Sequence, residues 1–270
     1  MNAEGPLNIN LHEILRKRGV KAPGFLVSLV ERVIHQRELN EMLQVGWPAR
    51  GSEFAGRILR YLDVTVEAEG LDSLPEGRYM FASNHPLGGL DGVSLIWLLG
   101  RKYGDEGVRF LVNDMLMNVE PLSDVFLPIN KYGSQGRKAA AAINEAMASD
   151  MQILQFPAGL VSRLLDDGEI ADLEWQKSFV AKAIESQRDI VPVHFIALNR
   201  KRFYRLARLR KKLGIKVNLE QAMLPAEMCA TRGERFRVVF GSPVSWQSLR
   251  DSGKSPRELA ADLRAAVYRL

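Results

Sequence analysis

The sequence predicts an α/β fold: a largely parallel or mixed central sheet flanked by helices, preceded by an N-terminal helical extension. Three observations predict it. Seven strand-like runs are spread between residues 64 and 241, helical stretches lie between most of them, and the first fifty residues carry helical periodicity instead. Alternating strands and helices place the strands in one sheet and the helices on its faces. The 270 residues suit one large domain with an extension, and 46% hydrophobic with 26% charged residues is an ordinary globular composition. The expected division is a helical extension over 1–50 and the main domain over 51–270.

In chain order, LHEILRKRG reads as a short helix. Pro23-Gly24 then starts FLVSLVERVIHQRELNEML, where Phe25, Leu29, Val33 and Ile34 share one side at helical spacing. Trp47-Pro48 and Gly51 break that pattern. Such a helical pair suits a lid, a membrane-dipping element, or a cover for one sheet face. The strand-like runs follow: VTVEAE (64–69), YMFAS (79–83), VRFLVN (108–113), VFLPIN (125–130), QILQFP (152–157), DIVPVHFIAL (189–198) and FRVVFG (236–241). Helical stretches at 91–103, 135–149 and 175–187 separate them. Ser255-Pro256-Arg257-Glu258 is a capping box with Pro at the first helical position, and it launches a last helix, LAADLRAAVYRL.

The most informative run is FASNHPLGGLDG, residues 81–92. Strand-like residues end in Asn84-His85, a Pro-Leu-Gly-Gly loop follows, and Asp91 opens an apolar helical stretch. An imidazole and a carboxylate meet where an extended segment hands over to a helix. That pairing suits an activated base, in which His takes a proton and Asp fixes its tautomer. Asp91 as a helix N-cap is the structural alternative, and the two roles are compatible. His194 in VPVHF reads as a strand-face or core residue, and His12 and His35 as helix residues facing solvent or a neighbouring helix. The His, Cys and acidic residues show no metal-site spacing. Serine-hydrolase elbow, Walker loop and dinucleotide fingerprint are missing too.

Asn-His followed closely by Asp resembles the first motif of the lysophospholipid (glycerolipid) acyltransferase family. Phe156-Pro157-Ala158-Gly159 resembles its Phe-Pro-Glu-Gly, and Val191-Pro192-Val193 its later Val-Pro-Val/Ile segment. Phe126 to Lys131 stands where that family carries a Phe-Ile-x-Arg strand end. The four motifs agree in order and spacing across roughly residues 60 to 245. Five residues rather than the usual four separate His85 from Asp91, and Gly88-Gly89 offer a way to absorb the extra one. Ala158 and Lys131 replace the family's Glu and Arg, which help hold an acceptor phosphate. NHPLGGLDG with FPAGLVSR is most similar to a hemolysin-like branch that includes O-acyltransferases completing ornithine and glycine aminolipids.

The resemblance implies transfer of a fatty acyl chain from acyl-CoA or acyl carrier protein to the hydroxyl of a lyso-lipid. Either a lyso-aminolipid or lysophosphatidic acid fits as the acceptor. It implies His85 and Asp91 as catalytic residues, with Asn84, Lys131, Phe156, Pro157, Gly159 and Arg163 around the substrate. Gly159 would line an anion-binding rim, while Lys131 and Arg163 would hold the acceptor's negative group. No cofactor or metal is expected, since the thioester is itself the co-substrate. A catalytically silent, membrane-surface lipid-binding relative is the alternative.

Composition frames where this happens. The +5 net charge suits an anionic membrane, nucleic acid or an anionic donor. Eight of the thirteen residues in RKRFYRLARLRKK (200–212) are basic, with Phe203, Leu206, Ala207, Leu209 and Leu213 at near-helical spacing. A membrane-interface helix and a helix packed on the core both satisfy this pattern; nucleic acid is not an expected partner, since a reader motif is missing. The single cysteine, Cys229, suits a reducing compartment. With neither a leader-like start nor an apolar run of about 20 residues, the expected location is cytoplasmic, peripheral on the inner face of the cell membrane.

Overall fold

The computed structural model describes residues 5–17, 19, 22–129, 134–215 and 219–270. Asn130 and Lys131 lie outside the described residues. The extension comprises α1 (Leu11–Lys17), α2 (Gly24–Val33) and α3 (Gln36–Gly46), followed by α4 (Gly51–Tyr61). The main body continues as β1 (Thr65–Glu69), β2 (Tyr79–Ser83), α5 (Gly89–Tyr103), β3 (Val108–Asn113), β4 (Phe126–Ile129), α6 (Ser134–Ala148) and β5 (Gln152–Gln155). A small hairpin, β6 (Arg163–Leu164) and β7 (Ile170–Ala171), precedes α7 (Ser178–Glu185), β8 (Asp189–Ile196) and α8 (Lys201–Lys212). The chain closes with α9 (Leu224–Ala230), β9 (Arg235–Phe240), α10 (Trp246–Asp251) and α11 (Pro256–Val267).

All seven expected runs join one sheet, in the order β1-β9-β8-β2-β5-β3-β4. Every neighbouring pair is parallel except β8–β9. The sheet is therefore mixed but mostly parallel. β2 lies at its centre and is buried along its whole length. A central parallel strand is covered on both faces, which is why YMFAS is nearly continuous in apolar character. Phe81 points into the cluster covered by α4 and α5, where its ring meets the edges of Tyr79 and Phe240 at 5.9 Å. Met80 and Ala82 point into the opposite cluster, with Met147 of α6, Phe179 of α7 and Leu263 of α11. Each such large apolar side chain contributes about 1.5–3 kcal/mol by leaving water.

The extension departs from its expected form. One continuous helix after Pro23 is replaced by two, because His35 takes a left-handed conformation (φ 51°) between α2 and α3. α2 packs on α3, α3 on α4 and α4 on α5, and Met42 and Leu43 of α3 join the core cluster on the Phe81 face of the sheet. Of α2's apolar residues only Val27 is buried, while Phe25 is 73% exposed and Leu26, Leu29, Val30 and Val33 also face outward.

At the N-terminal end of the central strands, Arg188 is fully buried. It donates to the carbonyls of Ala146 (2.9 Å), Met147 (3.0 Å), Ser149, Met151 (2.6 Å) and Tyr79 (3.4 Å). These include carbonyls of the last turn of α6, which otherwise lack partners and favour a cation. Burial pulls the guanidinium down to about 10, so it stays charged at neutral pH. This end of the sheet is closed.

Candidate active site

The opposite end of β2 carries the Asn-His motif. Asn84 is buried, and its side-chain amide substitutes for a peptide group. Its Oδ1 accepts from Phe195 N–H at 2.7 Å and its Nδ2 donates to Phe195 C=O at 3.0 Å. The ladder between β2 and β8 is thus extended by a side chain. Both ends of the amide are engaged by backbone in this structure.

His85 follows immediately, with its Nδ1 3.0 Å from Asp91 Oδ2. The five-residue loop between them turns at Gly88, whose φ is +86°. A Cβ there would lie only 2.9 Å from Leu224 methyls and 3.0 Å from Val161, so glycine is needed for conformation and space alike. Asp91 sits in the first turn of α5, where Oδ2 also accepts the N–H groups of Leu87 (2.9 Å) and Gly88 (3.1 Å). Gly88, not Asp91, is the N-cap; from the third helical position the Asp91 carboxylate accepts the N-cap N–H and orients the imidazole at once. Burial alone would raise its pKa, but His85 and those N–H donors outweigh this and hold the carboxyl below its usual range.

Burial likewise pulls the imidazole pKa down. Asp91's charge and hydrogen bond, helped by Asp172 and opposed by Arg163, reverse that and leave it raised above 6.5. The His85 side chain is 16% exposed, and its ring stacks on Phe156 with centroids 4.0 Å apart. With Nδ1 committed to Asp91, Nε2 has no hydrogen-bond partner among the described residues. A ring held at one nitrogen and free at the other can accept a proton from a bound hydroxyl and return it.

The second motif loop leaves β5 beside this ring. Pro157 is buried, and its carbonyl accepts from Gln176 N–H at 3.0 Å, so it supports the loop. Gly159 is exposed at φ +67°, and its N–H donates to Phe156 C=O at 2.9 Å. That N–H closes the turn of the Phe-Pro-x-Gly loop. Ala158, where the family has Glu, is buried in the apolar cluster with Leu111 and Leu127. Arg163 opens the short strand β6. Its guanidinium is buried, donates to Glu220 at 3.0 Å and to Val161 C=O at 2.9 Å, and lies over the Phe203 ring. Burial lowers its pKa despite the Glu220 charge. It ties the loop to the turn carrying Glu220 instead of offering a free grip to an acceptor. Lys131 is outside the described residues.

Three partners of the motif escaped the sequence reading. Asp172, at the exit of β7, accepts the His85 main-chain N–H at 3.1 Å. Ser162 N–H donates to His85 C=O at 2.8 Å, and Asn199 Nδ2 to Pro86 C=O at 2.9 Å. The available signal was the acid in Ile-Ala-Asp-Leu-Glu-Trp, flanked by apolar residues where a surface acid has no reason to be. Among the described residues no group of three or more His, Cys, Asp or Glu could hold a metal ion.

A His–Asp pair at the C-terminal end of a central parallel strand, beside a Phe-Pro-x-Gly loop, has the geometry of a general-base site. An acyltransferase family profile matches residues 12–270, and the chain belongs to that family. Two curated relatives, from Phocaeicola vulgatus and Bacteroides thetaiotaomicron, are named lyso-glycine lipid O-acyltransferase. Each is 43% identical over 267 residues, covering 97% of this chain and 95% or 97% of the relative. The crystal structure of the 1-acyl-sn-glycerophosphate acyltransferase PlsC from Thermotoga maritima aligns over 91% of this chain and 88% of that one, at a TM-score of 0.49 and 14% identity.

Proposed function

We propose that this acyltransferase passes a fatty acyl group from an acyl-CoA or acyl carrier protein thioester to the hydroxyl of a lyso-aminolipid, with lyso-glycine lipid as its reference acceptor. The observation that carries the reading is the His85 ring, held by Asp91 at 3.0 Å and unpartnered at Nε2. The relatives' activity supports the acceptor class. Ala158 supports it further: an apolar residue stands where the family places a Glu that helps hold an acceptor phosphate.

The chemistry balances on one residue. Nε2 takes the hydroxyl proton as the acceptor oxygen attacks the thioester carbonyl. Collapse of the tetrahedral intermediate breaks the C–S bond, and the imidazolium returns its proton to the leaving thiolate. Ester and thiol are the products, and no acyl-enzyme or cofactor is required. Base assistance of this kind contributes about 10²–10⁴-fold.

The reaction is proposed to take place at an anionic membrane surface on the cytoplasmic side. Among the described residues no helix is long and apolar enough to cross a membrane. Two surfaces support docking from the side. One is the outward apolar face of α2 around Phe25, Leu29 and Val33. The other is the end of α8, where Leu209 and Leu213 are exposed among Arg205, Arg208, Lys211 and Lys212. Each such cation gains about 1 kcal/mol near anionic lipid.

The test is thioester release and diacyl product formation by the purified full chain. Lyso-glycine lipid, lyso-ornithine lipid and lysophosphatidic acid are offered with each donor on anionic and neutral vesicles. Turnover with a lyso-aminolipid, faster on anionic vesicles, is expected. Release with lysophosphatidic acid alone would reassign the acceptor, and no release with any of them would return the chain to a silent lipid-binding role.

A further inference from the structure

We propose that Asp172 is a positioning residue for acyl transfer, fixing the main chain of His85 and placing a second carboxylate at its backbone N–H. This rests on the reading of His85 as the base. The Asp172 side chain is completely buried, yet it is fully engaged. Oδ1 accepts His85 N–H at 3.1 Å and the Ser162 hydroxyl at 2.6 Å, while Oδ2 accepts Trp175 Nε1–H at 2.9 Å. Ser162 in turn donates its own N–H to His85 C=O at 2.8 Å. Both peptide groups flanking the His85 Cα are thus held by Asp172 and by its hydrogen-bonded partner. Asp91 fixes the ring from one side and Asp172 fixes the backbone from the other.

The hairpin and the last helix present this carboxylate. Arg163 pairs with Ala171 in the β6–β7 register, so Ser162 and Asp172 flank the base of the hairpin. From α11, Arg264 donates to Asp172 C=O at 2.6 Å, and just beyond that helix the Tyr268 hydroxyl accepts Asp172 N–H at 2.7 Å. A buried carboxylate is expensive unless every lone pair is used, and a purely structural hub needs no charge. The charge gains a purpose during transfer, when His85 carries a proton. The charged groups facing His85 are Asp91 from α5, Arg163 from β6 and Asp172, and only Arg163 opposes the imidazolium. Around Asp172 itself stand Arg264, Tyr268 and His194 of β8, whose ring meets Tyr268 edge-on at 5.4 Å.

The experiment measures kcat, KM for lyso-glycine lipid and the pH dependence of kcat/KM for the full chain and for Asp172→Asn, Tyr268→Phe and His85→Ala, with melting temperatures. Asp172→Asn is expected to lower kcat about tenfold with KM little changed. It should also move the acid limb about half a unit to lower pH, because a lost negative charge weakens proton binding at His85. Tyr268→Phe, which removes only the hydroxyl that accepts Asp172 N–H, is expected to lower kcat about threefold with the limb in place. A folded Asp172→Asn enzyme with wild-type kcat, or with reduced kcat and an unmoved limb, would overturn the proposal. If that variant does not fold, wild-type kcat in Tyr268→Phe would overturn it instead. His85→Ala separates the two levels. If it is active, the base reading falls; if it is inactive beside an unimpaired Asp172→Asn, only the role of Asp172 falls.

Discussion

The two ends of β2 are both pinned by buried polar side chains, yet they do different work. At the start of the strand, Arg188 spends its donors on carbonyls around the end of α6. At the end of the strand, Asn84, Asp91 and Asp172 satisfy one another's surroundings while leaving His85 Nε2 without a partner among the described residues. One end spends every donor of a buried cation on backbone carbonyls, while the other keeps one nitrogen of a partly exposed imidazole open. A missing partner alone does not mark a site, since among the described residues His194 Nδ1 and Ser94 Oγ are also buried without one; what sets His85 apart is that an acid orients its ring while the ring stays partly exposed.

Variants can break this contrast or sharpen it. The largest expected effect is on chemistry. Asp91→Asn should cost about 10²–10⁴-fold in kcat, equivalent to about 3–5 kcal/mol, since the imidazole loses its orienting charge. Acyl transfer within threefold of wild type by the folded variant would contradict this. Arg188→Met should act on the fold instead, costing about 4 kcal/mol in denaturant unfolding because several buried carbonyls lose their donor. The surviving folded fraction should retain normal specific activity.

Arg163→Met, which leaves Glu220 with Arg210 alone, should destabilise by about 3 kcal/mol with KM for a carboxylated acceptor unchanged. A raised KM would restore Arg163 as an acceptor ligand. Asn84→Ala should cost about 2 kcal/mol for its two lost bonds to Phe195, measured by unfolding. The mildest perturbation is pH itself. Because the imidazole pKa is raised above 6.5, the neutral base is lost as pH falls through that raised value, and kcat/KM should decline there. Stability runs the other way. The contribution of protonated His85 is fully present below its unfolded pKa of about 6.5 and is lost as pH rises through the folded value. The melting difference between wild type and His85→Asn should accordingly shrink from pH 6 to pH 8.

Most of the sheet was legible in the sequence because its strands are short apolar runs with clear breakers between them. The helix Gly51–Tyr61 was hidden by two glycines that lower helical propensity; Gly56 is there because a side chain would lie 2.9 Å from Trp97. At the site, the His85–Asp91 pair could be read because both residues sit within one local motif. Partners were harder to read. Arg163 looks like a free cation until Glu220, 57 residues away, is brought beside it, and Asn84 looks like a ligand until Phe195, 111 residues away, takes its amide. Asp172 lies 87 residues from the backbone it holds; its apolar neighbours hint at burial but do not name the partner. Residue type gives capability, while folding decides whether that capability is already used.

If the His85 ring removes the acceptor's proton, its loss must slow transfer without unfolding the protein. The decisive measurement is single-turnover acyl transfer to lyso-glycine lipid by His85→Ala, with the melting temperature taken on the same sample. The variant should fold and transfer the acyl group about 100-fold or more slowly. A folded variant that transfers the acyl group at the wild-type rate would contradict that role.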